Sequence, residues 1–145
     1  MGSNAETRRS GCPISCSLDL LGDKWSLLIV RDMVMLRKHY FKEFLASAEG
    51  IATNILTDRL NRLEGGGIIS KQPDPENRRQ IVYTLTEKGV ALIPVLVELM
   101  SWGKIYAGTT SVDRDKARRM HQDRRYKQRV IRELTEGCTS TPGRS

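Results

Sequence analysis

The chain has 145 residues, a length that suits one compact domain with terminal extensions. Hydrophobic residues make up 39% and charged residues 28%, which allows a modest core and excludes a large enzyme. We see no apolar run near the roughly 18 residues that a membrane span needs, and no secretory leader. We therefore expect a cytoplasmic protein with no membrane partner.

The net charge of +7 is concentrated in the last quarter of the chain. Residues 12–108 hold 12 basic and 11 acidic side chains, whereas residues 109–145 hold 10 basic and 5 acidic ones. We divide the chain into a flexible N-terminal tail at 1–11, a folded domain at 12–108 and a basic C-terminal extension at 109–145. In the extension we expect a charged helix from Asp113 to Leu134 and disorder from Cys138 onward.

The first half of the chain predicts four helices from the spacing of its apolar residues. Pro13 suits the first position of the first helix, and the carboxylate of Asp23 can cap the second. Gly50 separates the third helix from the fourth. The predicted helices lie at residues 12–21, from Asp23 to Leu36, around Phe41 to Leu45, and from Ile51 to Glu64.

Two runs rich in β-branched and aromatic residues, Ile68 to Gln72 and Ile81 to Leu85, predict a β-hairpin. The loop between them is rich in turn-forming residues and ends with Arg78 and Arg79. The sequence therefore predicts a hairpin with a long basic tip.

A long helix is predicted after the hairpin. Thr86 can cap this helix, which starts at Glu87, and Pro94 inside it should kink or weaken it locally. Apolar residues cover so much of its surface that we expect part of it to be buried against another element or subunit.

The helices on either side of Gly50 predict a helix-turn-helix whose second helix has a polar face. Such a face presents amides, hydroxyls and guanidinium groups to base edges, although an ordinary solvated face is the alternative. The hairpin favours DNA binding, because Arg78 and Arg79 can reach a minor groove or phosphates as a wing does. The candidate residues of the helix are Thr53, Asn54 and Thr57 for bases, Arg59 and Arg62 for phosphates, and Asp58 and Asn61 on the same face.

Several segments in unbroken order carry a family resemblance over about residues 12–108: Leu18 to Ile29 (LDLLGDKWSLLI), Phe41 to Phe44 (FKEF), Leu56 to Glu64 (LTDRLNRLE), Tyr83 to Gly89 (YTLTEKG) and Trp102-Gly103. Together they resemble the HxlR family of bacterial winged-helix transcription factors. The resemblance implies a mainly α fold with a small β-hairpin wing, and a homodimer related to the MarR type. Its N- and C-terminal helices would form the dimer interface, here through Leu18, Leu92, Val95, Leu96, Leu99, Trp102 and Tyr106.

The chain departs from the family's pattern at three places. Tyr40 stands where the family usually has a basic residue, which predicts a weaker backbone contact there. A serine often caps the recognition helix, whereas this chain has Ala52 followed by Thr53, which can cap instead. Gly65 and Gly66 each cost about 1 kcal/mol relative to alanine in the last turn, so we expect that end to be frayed or shortened.

Cys12 is the candidate redox sensor. It lies at the start of the first helix, where the helix dipole favours a thiolate, with Arg8 and Arg9 expected nearby. In some HxlR proteins an equivalent cysteine senses oxidants or electrophiles, which implies this role for Cys12; the alternative is a packing residue near the dimer interface. Cys16 is too close along one helix for disulfide geometry, and neither it nor Cys138 completes a metal site.

We therefore predict a homodimeric, sequence-specific DNA-binding regulator whose partner is a pseudo-palindromic double-stranded operator and whose effector is a small molecule or an oxidant. We expect no enzyme activity, no cofactor and no metal, because we find no catalytic or metal-binding constellation. The stretch from Arg114 to Arg132 is expected to add non-specific DNA affinity or to extend the dimer contact. The alternative is a winged-helix module for protein–protein assembly, which would keep its binding when Asn54 and Thr57 are replaced.

Overall fold

The computed structural model describes residues 9–108 and 113–139. The predicted fold class is confirmed, since helices surround one two-stranded antiparallel hairpin. Most of the predicted flexible tail, residues 1–8, lies outside the described residues. The elements are α1 (Pro13–Leu21), α2 (Ser26–Met35), α3 (Phe41–Leu45), α4 (Thr53–Gly65), β1 (Ile69–Pro73), β2 (Ile81–Leu85), α5 (Glu87–Val90), α6 (Ile93–Tyr106), α7 (Arg114–Gln122) and α8 (Arg124–Thr139).

One hydrophobic core lies between α2, α3, α4, β1 and α6. Its members follow the helical spacing of the sequence, so each helix contributes one apolar face. The side chains buried almost completely include Val30, Met33, Phe44, Leu56, Leu60, Leu63, Ile68 and Ile93. The polar face of α4 is thereby turned away from the core.

Asp23 caps α2, as predicted. Its Oδ1 accepts hydrogen bonds from the backbone N–H groups of Trp25 at 2.8 Å and Ser26 at 2.9 Å, and its Oδ2 accepts one from the Ser26 hydroxyl at 2.5 Å. Partial burial raises the pKa of Asp23, but these bonds, with one from Arg59, outweigh it and lower the pKa to about 2. The carboxylate therefore stays charged and holds the start of α2.

The hairpin pairs β1 with β2 in a register that runs from Ile69 opposite Leu85 to Pro73 opposite Ile81. β2 occupies the predicted residues, and β1 lies one residue later than predicted. A third extended segment joins the sheet, because Tyr40 forms a bridge with Val82. The start of the helix-turn-helix is thus attached to the base of the wing.

The predicted long helix after the hairpin is two helices, α5 and α6. Thr86 caps α5 as predicted, accepting a hydrogen bond from the Gly89 N–H at 3.1 Å. The prediction of Pro94 inside one continuous helix is wrong, because Pro94 lies in the first turn of α6. Proline is tolerated there, where the missing N–H would have no partner within the helix.

Among the described residues, Glu87–Tyr106 passes a test of length and composition for a membrane span, with a mean hydropathy of 1.3. This differs from the expectation of no such apolar run. The segment contains the whole of α5 and of α6, and α6 buries Ile93, Leu96 and Val97 in the core. Its apolar composition therefore has a use within the domain.

The C-terminal extension folds into two helices rather than the single predicted one. Asp123 separates them and caps α8, since its Oδ1 accepts a hydrogen bond from the Tyr126 N–H at 3.1 Å. α8 continues to Thr139, so the prediction of disorder is wrong for Cys138, which is half-buried. Residues 140–145 lie outside the described part of the chain. The side chains of α8 that pack against the core are Val130, Ile131, Leu134 and Cys138.

Candidate nucleic-acid interface

The recognition helix α4 begins directly after a tight turn. Gly50 has a φ of +69°, a conformation that glycine adopts without strain. Ala52 is the N-cap with extended backbone and makes no capping bond, and Thr53 is the first helical residue. The predicted capping role of Thr53 is therefore wrong. A side chain caps the free N–H groups of the first turn from the N-cap position, and Ala52 occupies that position.

A row of polar side chains along α4 faces solvent. The hydroxyl of Thr57 donates to the Thr53 carbonyl at 3.0 Å, and this hydrogen bond holds the Thr57 side chain against the helix backbone. The Asn54 amide makes no hydrogen bond to any residue in the described ranges. The exposed residues of the row, all of them predicted, are Thr53, Asn54, Thr57, Asp58, Asn61 and Arg62.

Arg59 differs from Arg62 because its guanidinium is already paired with acids, whereas Arg62 donates to the Asp19 carbonyl at 3.5 Å. Its Nε donates to Asp23 Oδ1 at 3.0 Å, and its Nη1 pairs with Asp58. The Arg59 side chain is only 21% exposed. Its assignment as a phosphate contact needs correction, since the structure uses Arg59 to hold α4 against the cap of α2.

A polar network holds the turn between α3 and α4 against α2. Arg31 binds both oxygens of Glu49, at 2.6 and 3.0 Å, and also contacts the buried carboxylate of Asp32 at 2.7 Å. The Ser47 hydroxyl donates to Asp32 and accepts from Lys38 Nζ at 2.8 Å. The Arg31 bond lowers the pKa of Glu49 to about 2. This network fixes the entry angle of α4.

The wing loop is ordered by its own backbone and by one bond to the helix-turn-helix. The N–H of Asp74 donates to the Gln80 carbonyl at 2.9 Å, and the Tyr40 hydroxyl donates to Asp74 Oδ2 at 2.7 Å. The Tyr40 bond lowers the pKa of Asp74. Arg78 and Arg79 are exposed, and within the part of the chain described here their guanidinium groups pair with no acid. The loop therefore presents two solvated cations near α3.

Comparison with known proteins agrees with this geometry. A family model described as HxlR-like helix-turn-helix matches residues 20–111. This chain belongs to that family. The HTH-type transcriptional regulator YodB of Bacillus subtilis is 37% identical to this HxlR protein over 92 residues, which cover 63% of the chain and 81% of YodB. The family and its relatives are transcriptional regulators.

Solved structures extend the likeness. The protein PA1607 is 37% identical with a TM-score of 0.67, covering 74% of each chain. HypR, a redox regulator, in its reduced form is 27% identical with a TM-score of 0.57, covering 67% of this chain and 95% of HypR. YodB in reduced, quinone-bound and diamide-treated forms gives TM-scores of 0.54, 0.53 and 0.50. The predicted function as a DNA-binding transcriptional regulator is confirmed, and the protein–protein module is not favoured.

The HxlR protein has an exposed apolar face on α6, and α1 also exposes apolar side chains. Val95, Leu99, Trp102 and Tyr106 follow one another along α6 at helical spacing, with 47 to 62% of each side chain exposed. The rings of Trp102 and Tyr106 lie 5.6 Å apart, and Leu18 on α1 is 52% exposed. Leu92 is half-buried.

The assignment of Leu96 to the dimer interface is wrong, because Leu96 is 6% exposed and packs in the core of the protomer. A helix with a wide apolar surface has a core side and an outer side, which sequence spacing does not separate. Ile14 on α1, which was not among the predicted interface residues, is 71% exposed. Its position four residues before Leu18 is the signal that could have found it.

Cys12, Cys16 and Cys138 form no disulfide in the structure, and Cys12 is the exposed one. Cys12 is the N-cap of α1, at the helix end that was predicted for it. Arg9 is paired with Asp19 at 2.7 Å rather than with the Cys12 thiol, and Arg8 lies outside the described residues. The Cys16 thiol donates to the Ser10 carbonyl at 3.4 Å.

Proposed function

We propose that this HxlR regulator binds DNA as a homodimer, with α4 of each protomer in a major groove and the Arg78–Arg79 loop beside it. The observation that supports this most is the row of solvent-facing polar side chains on α4 next to two solvated cations on the wing. Hydroxyls and amides can select bases, while the arginines bind phosphates. Thr53, Asn54, Thr57 and Asn61 are the base-reading candidates, and Arg62, Arg78 and Arg79 the phosphate contacts.

The dimer forms through the apolar face of α1 and α6. Such a face is costly to leave in water, and two copies related by a two-fold axis would cover each other. A two-fold dimer places its recognition helices on half-sites about one helical turn apart. The operator is therefore a pseudo-palindrome.

DNA reading is tested with the intergenic DNA beside the coding gene, screened for an inverted repeat and then titrated by fluorescence anisotropy. The wild-type protein should prefer the repeat over scrambled DNA, and its affinity should fall steeply with salt. Asn54→Ala with Thr57→Ala should remove the preference and retain the salt dependence. Gln128→Ala on α8, a matched exposed amide, should change neither, and equal binding to both DNAs by the wild type would refute the proposal.

The dimer is tested separately by sedimentation. Leu99→Asp and Trp102→Asp should shift the wild-type dimer to monomer, because a charge on the shared face would be buried without a partner. Leu36→Asp is the control, since Leu36 is also exposed, at 57%, but was not assigned to the interface. A monomeric wild type would contradict this part of the proposal.

We also propose that oxidation of Cys12 regulates operator binding. The support is the exposure of Cys12 at the N-terminus of α1, since α1 itself contributes to the proposed dimer face. Diamide should change the operator affinity of the wild type and of Cys16→Ser, and leave that of Cys12→Ser unchanged. An identical diamide response in Cys12→Ser would eliminate Cys12 as the sensor and leave the DNA-binding proposal intact.

A further inference from the structure

An open cleft of about 310 Å³ lies where the start of α3 meets the base of the wing. One wall comes from the α3 side and the other from the second strand of the hairpin with its preceding loop. Its lining is aromatic and apolar apart from two cations and one amide. The lining residues are Tyr40, Phe41, Lys42, Arg79, Gln80, Ile81 and Tyr83.

Lys42 and Arg79 face this cleft from different elements, one from the helix and one from the wing. Both are exposed, and the side chain of neither makes a hydrogen bond or ion pair with the residues that the structure describes. Within those residues, no carboxylate lines the cleft. Two carboxylates beside it bind Tyr40 instead: Asp74 accepts from the Tyr40 hydroxyl at 2.7 Å, and Glu43 accepts from the Tyr40 N–H at 3.1 Å. The two cations of the cleft therefore have no ion-pair partner among the residues that the structure describes.

The two walls are fixed relative to each other. Tyr40 bridges to Val82 of β2, and its hydroxyl donates to Asp74 in the wing loop at 2.7 Å. Tyr40 thus connects the helix that carries Lys42 to the loop that carries Arg79.

We infer that Lys42 and Arg79 bind one and the same backbone phosphate of the DNA, and that Tyr40 positions them for it. This rests on the proposed function, since the cleft opens beside the wing that would lie on the duplex. A phosphodiester fits because it is a compact anion on a continuous chain, which an open cleft accommodates from both ends. The first helix of a helix-turn-helix crosses the DNA backbone, which brings a phosphate to the start of α3.

The decisive experiment places single neutral methylphosphonates along an operator fragment and measures the affinity of each by anisotropy. A methylphosphonate at one position outside each half-site should lower the operator affinity of the wild-type protein about fivefold, because the neutral group no longer attracts the two cations. Lys42→Ala and Arg79→Ala should each bind more weakly than the wild type and be insensitive to that same position. Arg78→Ala, the matched neighbour outside the cleft, should remain sensitive to it.

Tyr40→Phe tests the positioning role, because it removes one hydroxyl and keeps the ring. It should weaken operator binding in the wild-type background and have no further effect in the Arg79→Ala background. Equal losses in both backgrounds would overturn the role of Tyr40.

The outcomes separate this inference from the proposed function. If wild-type protein shows no operator preference, the proposed function fails. If the wild type binds its operator but Lys42→Ala and Arg79→Ala respond to different methylphosphonate positions, or Lys42→Ala binds like the wild type, the shared phosphate is refuted while the operator proposal stands. Saturable binding of benzoate to the free protein, lost in Lys42→Ala, with no sensitive methylphosphonate position, would instead assign the cleft to a small anion.

Discussion

The recognition surface and the C-terminal extension are both amphipathic and both carry arginines, yet their side chains are used differently. On α4 and the wing the net charge is small, and the exposed side chains of Asn54, Arg78 and Arg79 make no hydrogen bond or ion pair with the described residues. The extension carries most of the excess charge, but α8 packs Val130, Ile131 and Leu134 on the core. Its Lys127 pairs with Glu98 of α6 at 2.6 Å.

This difference shows that charge density alone does not locate a nucleic-acid surface. A cation that is paired within the fold stabilises the fold, whereas a cation left solvated beside a polar helix face is available to a polyanion. The family match ends at residue 111, before α7 and α8 begin. α7 and α8 thus lie outside the family match, and α8 packs on the core through its apolar side.

Deletion of residues 109–145 is expected to have the largest effect among the tests that compare the recognition surface with the extension. We expect the free energy of unfolding to fall by about 3 kcal/mol, because the apolar cover from α8 is removed and part of the core becomes exposed to water. Urea unfolding measures this. The same deletion, studied by salt-dependent operator binding and sedimentation, tests whether the stretch from Arg114 to Arg132 adds DNA affinity or extends the dimer interface.

The matched control for the deletion is a full-length variant with Arg125, Arg129 and Arg132 replaced by alanine. It removes charge and keeps the apolar side of α8, so its stability should stay within about 0.5 kcal/mol of the wild type. A loss as large as that of the deletion would show that charge, not apolar cover, holds the extension.

Asp23→Asn tests whether a charged group near the recognition helix stabilises the fold, in contrast to the three arginines of the extension, which should not. The pKa of Asp23 is lowered from 3.8 to about 2. Because the pKa is lower in the folded protein than in the unfolded chain, the charged Asp23 carboxylate stabilises the fold above about pH 4. This stabilisation is lost as the pH falls from about 4 to about 2. We expect Asp23→Asn to lose about 2 kcal/mol at pH 7 and to approach the wild type near pH 2.

The measurement for Asp23 is urea unfolding at several pH values. Asp58→Asn provides the control, because the Asp58 side chain is 56% exposed and should change stability little. A pH-independent difference between Asp23→Asn and the wild type would show that the cap acts through its geometry rather than its charge.

The two arginines of α4 give a smaller and more direct contrast. Arg59→Ala should lose about 1 kcal/mol of stability, because it leaves Asp23 with one partner fewer, and should keep the salt dependence of operator binding. Arg62→Ala should keep its stability and lower the salt slope by about one, the value expected for each phosphate that the protein ceases to bind. Reversed behaviour of the two variants would mean that the pairing in the free protein does not predict the DNA contacts.

The sequence predicts those features that depend on local spacing and composition. The helices before residue 66 were predicted from the period of their apolar residues, and Asp23 and Thr86 from their capping chemistry. The second strand was predicted from a run of β-branched residues between turn formers. Each of these signals lies within a few residues of the structure that it specifies.

Features that depend on partners distant in the chain could not be predicted in this way. Asp23, one of the two acids that pair with Arg59, is 36 residues earlier, and the carboxylate that binds the Tyr40 hydroxyl is 34 residues later. Leu96 was assigned to the wrong side of its helix because both sides are apolar. Cys138 lies among small polar residues typical of a tail, whereas its packing against the core involves residues distant in the chain.

The smallest expected effect concerns the start of α4, where the recognition surface lacks a stabilising bond. Ala52 is an N-cap with φ −71° and ψ 147°, a conformation that serine adopts readily, but its methyl group cannot accept a hydrogen bond. In Ala52→Ser the hydroxyl should accept a bond from an N–H in the first turn and raise the free energy of unfolding by about 0.5 kcal/mol. Ala52→Gly, which gives no side-chain acceptor, is the control and should not stabilise the fold. Because the first turn carries Thr53 and Asn54, the serine variant should also retain operator preference; a gain in stability with loss of preference would mean that an uncapped start of α4 is itself needed to read DNA.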